Sequence, residues 1–85
     1  MRKPIELKKG AYCYYDVFQG LIPCTCTKVY RENGRYMATA IITETIGAYN
    51  EGETVADFAK HIVPIKALFY RNGQARLKSY RVILG

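Results

Sequence analysis

Cys13, Cys24, Cys26 and the lone His61 are the side chains best suited to metal ligation or nucleophilic attack. A Cys3His set can hold zinc, and a Cys–His pair can carry covalent catalysis. The spacing speaks against both. Cys24 and Cys26 are parted by one residue rather than the two of a zinc knuckle, no second knuckle exists, and cysteine is among the most buried residue types without any metal. We therefore expect buried, reduced thiols, with no metal and no other cofactor. The carboxylates have no recognised catalytic spacing, and there is no Walker A lysine loop, no Gly-x-Gly-x-x-Gly and no His-Glu-x-x-His. The expectation is a protein that is not an enzyme.

Cations interleaved with aromatic rings are the remaining chemistry. Arg76, Lys78 and Tyr80 fall at alternate positions and would share one face of a strand, with Arg71 just before them. Arg31 and Arg35 flank Asn33-Gly34, with Tyr30 and Tyr36 beside them. Cations can track phosphates while rings stack on bases, at roughly 1–3 kcal/mol per stacked base. The competing account is that the cations only solubilise sheet edges and the tyrosines pack with their hydroxyls at the surface.

The net charge of +6 in 85 residues favours approach to phosphate backbones or acidic surfaces. It is unevenly spread. Residues 61–85 contain no acid but carry Lys66, Arg71, Arg76, Lys78 and Arg81, while Glu44, Glu51, Glu53 and Asp57 gather in the middle. No apolar run approaches the roughly 20 residues that cross a bilayer, and Met1 to Glu6 lacks the apolar core of a secretion signal, so a cytoplasmic protein with no membrane partner is expected.

The elements that must position these groups read as strands. Asn33-Gly34 and Asn72-Gly73 each lie between β-rich flanks and tolerate the positive φ of a type I′ turn, so both are expected at hairpin tips. Ala11 to Phe18 and Leu21 to Tyr30 read as strands joined at Gln19-Gly20, with Tyr15 opposite Cys24 and Cys13 opposite Cys26. That pairing puts Ala11, Cys13, Tyr15, Val17, Ile22, Cys24 and Cys26 on a core face. Tyr12, Tyr14, Asp16, Thr25 and Thr27 fall on the wet one. Arg35 to Ile46 reads as a long, bent third strand, residues 47–52 as a loop, and residues 65–70 with 74–84 as a second hairpin. Thr54 to Ile62 fits a strand or a short helix. Thr54 as cap, Asp57 three residues on, and Val55, Phe58, Ala59 and Ile62 at helical spacing favour a short helix or helical turn near residues 55–62.

Residues 1–85 thus read as one all-β domain, a strongly bent sheet of about five to six strands. Lys9-Gly10 followed by an aromatic strand resembles the entry to Tudor-type and other SH3-like domains. An SH3-like barrel is the expected fold, with an OB-like barrel next. The expected function is binding of nucleic acid, DNA or RNA, by a basic and tyrosine-rich surface drawn from Arg71, Arg76, Lys78, Tyr80, Tyr12, Tyr14, Arg31 and Arg35. The alternative is a protein-interaction module or small inhibitor that meets an acidic protein surface, since Tyr and Arg are enriched at interaction hot spots. Its loop from Glu44 to Asp57 would mimic nucleic-acid charge. A homodimer through the edge Ala75 to Leu84 is a further expectation.

Overall fold

A computed structural model describes residues 3–72, 74–77 and 80–84, with backbone alone for 3–4, 68–71, 74–77 and 80–84. In chain order the strands are β1 (Lys3–Leu7), β2 (Tyr12–Val17), β3 (Gly20–Glu32), β4 (Arg35–Ile42), β5 (Thr54–Phe58), β6 (Ile62–Pro64), β7 (Leu68–Arg71), β8 (Gln74–Leu77) and β9 (Tyr80–Leu84). Short 3-10 turns at Ala59–His61 and Ile65–Ala67 flank β6. The protein is all-β, built on a five-stranded antiparallel sheet of order β5-β4-β3-β2-β6. Among the described residues no hydrogen-bonded ladder joins β5 to β6, so the sheet is not closed into a barrel by hydrogen bonds.

Alternation along β3 builds the core. Ile22, Cys24 and Cys26 point inward and are buried, as are Cys13 from β2, Ala38, Ala40 and Ile42 from β4, and Ile62 from β6. The expected core face is the observed one, with Ala11, Tyr15 and Val17 packed at its margin. Small residues meet across the ladders, Cys13 opposite Cys24 and Cys26 opposite Ala40, which leaves room for the branched side chains of neighbouring rows. Leu7 of β1 reaches this core, while Ile5 packs with Val63 and Ala67 in a second cluster. Burying an isoleucine such as Ile22 or Ile62 contributes about 1.5–3 kcal/mol.

The first hairpin differs from expectation in register. Val17 pairs with Gly20, so its tip is Phe18-Gln19, Tyr15 lies opposite Ile22, and Cys13 lies opposite Cys24 instead of Cys26. The slip is two residues, which preserves the faces. Gly20 closes the turn with φ 134°, a conformation that a residue with a Cβ rarely adopts.

The long strand is β3 rather than the segment from Arg35 to Ile46. Its ladder with β4 shifts between Cys26 and Lys28, a bulge that leaves Thr27 unpaired and bends the sheet. β4 stops at Ile42, whose N–H donates to Glu53 O (2.8 Å) and whose carbonyl accepts from Gly52 N–H (2.8 Å). That clamp spares the intervening residues for the expected loop.

Thr54–Phe58 is a strand and not a helix. Five residues gain a ladder against β4, from Ile41↔Thr54 to Met37↔Phe58, whereas an isolated helix this short is unstable. Asp57 caps no helix: its carboxylate accepts the Phe58 N–H (2.7 Å) and the Tyr15 hydroxyl (2.7 Å). The helical component of the expectation survives only as the 3-10 turn Ala59–His61.

Asn33-Gly34 sits where expected, and so does Asn72. Asn33 (φ 50°) and Gly34 (φ 75°) form the β3–β4 tip, and Asn72 (φ 54°) lies in the β7–β8 turn, where Arg71 pairs with Gln74; Gly73 lies outside the described residues. The stretch 74–84 pairs with two different partners. β8 pairs with β7, and β9 pairs in parallel with β1, with Ile5↔Val82 in register. An edge of β9 is therefore already taken by β1, which the burial of Ile5 and Leu7 holds in place, and residues 78–79 of the expected self-pairing edge lie outside the described residues.

Candidate functional site

Beyond the Thr27 bulge the Val29–Ala38 pair still packs in the core, and past it the β3–β4 ladder runs on to the tip. On its outer face Lys28, Tyr30 and Glu32 pair with Thr39, Met37 and Arg35, and Met37 is flanked in turn by Phe58 of β5. Alternation therefore brings Tyr30, Met37 and Phe58 into one row across three strands. Arg31 and Tyr36 pair with each other at the tip, where both are exposed because no core lies beneath them.

Cations lie over the rings throughout this end. Lys28 Nζ is 5.1 Å from the Tyr30 centroid and the Arg31 guanidinium is 5.5 Å from Tyr36. Phe58 has two, Arg35 at 5.5 Å and Lys60 Nζ at 5.8 Å, with the half-buried His61 ring 6.3 Å away on the other side of Lys60 in sequence. Each contact is worth about 0.5–1 kcal/mol at such exposed positions. Among the described residues the single ion pair is Lys8–Glu6, so none of these four cations is held in an ion pair by a described carboxylate. A groove of about 560 Å³ opens here, lined by Gly34, Arg35, Tyr36, Phe58, Ala59 and Lys60. A second hollow, lined by Glu32, Asn33, Arg35, Met37 and Phe58, shares Arg35 and Phe58 with it.

The residues singled out in the sequence separate into groups. Arg31 lies over Tyr36, whereas Arg35 lies over Phe58 and Tyr30 is met by Lys28. Tyr12 is 72% exposed and Tyr14 half-buried, both on the outer face, but opposite Thr25 and Pro23 near the other end of β3. About six residues of strand, roughly 20 Å, part them from Arg31. Arg71, Arg76 and Tyr80 are placed in backbone only, and Lys78 lies outside the described residues. β8 pairs with β7 and β9 with β1, and the link between them, residues 78–79, lies outside the described residues, as does the expected alignment of Arg76, Lys78 and Tyr80. Phe58, Lys60 and Lys28 also belong to the site, and the reading of the sequence misses them. Taking Thr54, Ala56 and Phe58 as one face of a strand would have exposed Phe58.

Asp57 does not belong to an acidic surface. It points inward to Tyr15, whose hydroxyl is pushed up to about 12 by burial first and by the bond to this carboxylate second. Glu44, Glu51 and Glu53 remain exposed. The three cysteines are buried and unpaired. Burial pushes Cys13 up to about 12 and Cys24 up to about 11, reinforced by neighbouring thiols, and burial raises Cys26 in the same direction. Such thiols stay protonated at neutral pH and make poor nucleophiles. Among the described residues no three Cys, His, Asp or Glu side chains converge for a metal, and no helix is long and apolar enough to cross a membrane.

Comparison with known proteins finds no matching family model, curated protein or solved structure.

Proposed function

We propose that the chain is a non-catalytic nucleic-acid-binding module on an SH3-like barrel scaffold. The scaffold reading is supported by the strand order: a four-strand meander, β2 to β5, whose fifth strand returns after a 3-10 turn to lie beside the first. A strongly bent sheet of that order needs little more to form a small barrel. The observation that carries the binding reading is the cluster of Lys28, Arg31, Arg35 and Lys60 over the rings of Tyr30, Tyr36 and Phe58. Cations in this setting meet phosphates, and the rings offer π-faces to bases. Arg71, Arg76 and Lys78 add to the positive charge of the chain and, with Tyr80, stay within the proposal as a secondary contact.

Binding to short DNA or RNA should weaken steeply with salt, with a log–log slope reaching about −3 if all four cations meet phosphates of a single strand. Reversing Arg31 and Arg35 to Glu should cost at least tenfold in affinity, about 1.4 kcal/mol, and flatten that slope. No affinity for any nucleic acid at low salt would remove the reading. Phe18, fully exposed at the β2–β3 tip, favours the second reading, a protein-interaction module. A defined protein partner that co-purifies after nuclease treatment, and is lost on Phe18→Ser, would establish it.

A further inference from the structure

Resting on that reading, we infer that Phe58 is a stacking platform for an unpaired base, so that the ligand is a single strand rather than a duplex. Two features of the site lead there. The first is its shape. The groove is a concave opening between the β3–β4 tip and the 3-10 turn that follows β5, with Phe58 common to it and to the adjoining hollow. A duplex presents a convex cylinder whose bases are stacked on one another, so it could touch the rim of such a groove but not lay a base face on its aromatic ring. A splayed base can enter.

The second is the chemistry of the ring. A two-stranded ribbon such as β3–β4 fits a major groove, but there it reads base edges through hydrogen bonds. Phe58 has no polar atom to read an edge with, and the cations over it, Arg35 and Lys60, come from β4 and from the 3-10 turn. Both lie over the ring, 5.5 and 5.8 Å from its centroid, so a base that stacks there takes the place of a cation, which is left free to meet an adjoining phosphate. Tyr36, 53% exposed in the same groove, supplies a second ring for the neighbouring nucleotide. Stacking tolerates any base, so the preference is for strandedness and not for sequence.

The test compares an oligothymidylate of about 12 nucleotides with the corresponding dA·dT duplex by fluorescence anisotropy at low salt, for the wild type, Phe58→Leu and Phe58→Trp. Thermal melting of each variant checks the fold. The single strand should bind at least tenfold more tightly than the duplex. Phe58→Leu, which keeps apolar bulk but loses the π-face, should weaken single-strand binding about tenfold and leave duplex binding unchanged, while Phe58→Trp should keep or strengthen it. Equal or tighter duplex binding, or a folded Phe58→Leu that binds the single strand as the wild type does, would overturn the inference and leave the nucleic-acid reading standing. Failure of both probes to bind wild-type protein would overturn the two together.

Discussion

The two halves of β3 have similar residue types and opposite fates. Before the bulge, Ile22, Cys24 and Cys26 lie against β2 on one side and β4 on the other and are buried. After it, the inward positions are Val29, still packed against the core, and Arg31, paired with Tyr36 at a tip beyond the reach of β5, while Lys28 and Tyr30 face outward and the rings are met by cations. Aromatic or apolar character did not decide which residues became core. What decided was whether chain lay over the inner face: the cluster that includes Leu7, Ile62 and Ala59 takes in Ala38 and Val29 but not the Arg31–Tyr36 pair. An aromatic residue past that limit is left exposed, as Tyr36 is.

Replacing equivalent residues on either side of the bulge should expose this difference most strongly. Ile22→Ala should cost about 2–5 kcal/mol in urea unfolding, since it leaves a cavity in the sheet core. Tyr36→Ser should cost no more than about 1 kcal/mol, chiefly the lost contact with Arg31. Comparable losses at the two sites would mean that the extension carries a core of its own.

Alkaline titration should separate the halves more gently. Cys13, with an ordinary value of 9.0 raised to about 12 in the fold, favours the folded state in its protonated form. Its contribution is complete below pH 9 and is lost as pH rises toward 12, with Cys24 and Tyr15 acting in the same direction. The melting temperature should therefore fall above pH 9, and Cys13→Ala should reduce that dependence. A pH-independent melting curve across the interval would mean that the thiols are more hydrated than their burial implies.

The smallest effect is at the tip itself. Gly34 has φ 75° and open space around its missing Cβ, so Gly34→Ala meets no clash and costs only the backbone strain, about 1 kcal/mol. Its melting curve should shift slightly and its single-strand affinity change less than twofold, a contrast with Phe58→Leu that keeps turn geometry and ring chemistry apart.

Local chemistry makes several of these features legible in the amino-acid sequence. Asn-Gly pairs meet the positive φ of a tight hairpin with neighbours of any kind, so both tips can be read from the dipeptides. Period-two alternation assigns Cys13, Cys24 and Cys26 to one face, and because a slip of two residues preserves parity, that assignment holds even though the expected register does not. A lone glycine after Phe18-Gln19 can sit at a tip or just behind it, and the choice rests on which pairing the rest of β3 prefers.

What the tertiary structure decided depends on contacts between distant residues. Thr54 to Ile62 satisfies helical and strand periods equally over so few residues, and the ladder offered by β4 chose the strand. Arg35 and Phe58 are far apart in sequence and share no motif, yet pairing of β4 with β5 sets guanidinium and ring 5.5 Å apart. The sequence by itself determined which residues are cations, rings and turn formers, because those properties are local. Which of them would converge on an open groove was left to the order of strands, since hydrogen-bond registers between segments many residues apart are fixed by the whole sheet and by no single stretch of it.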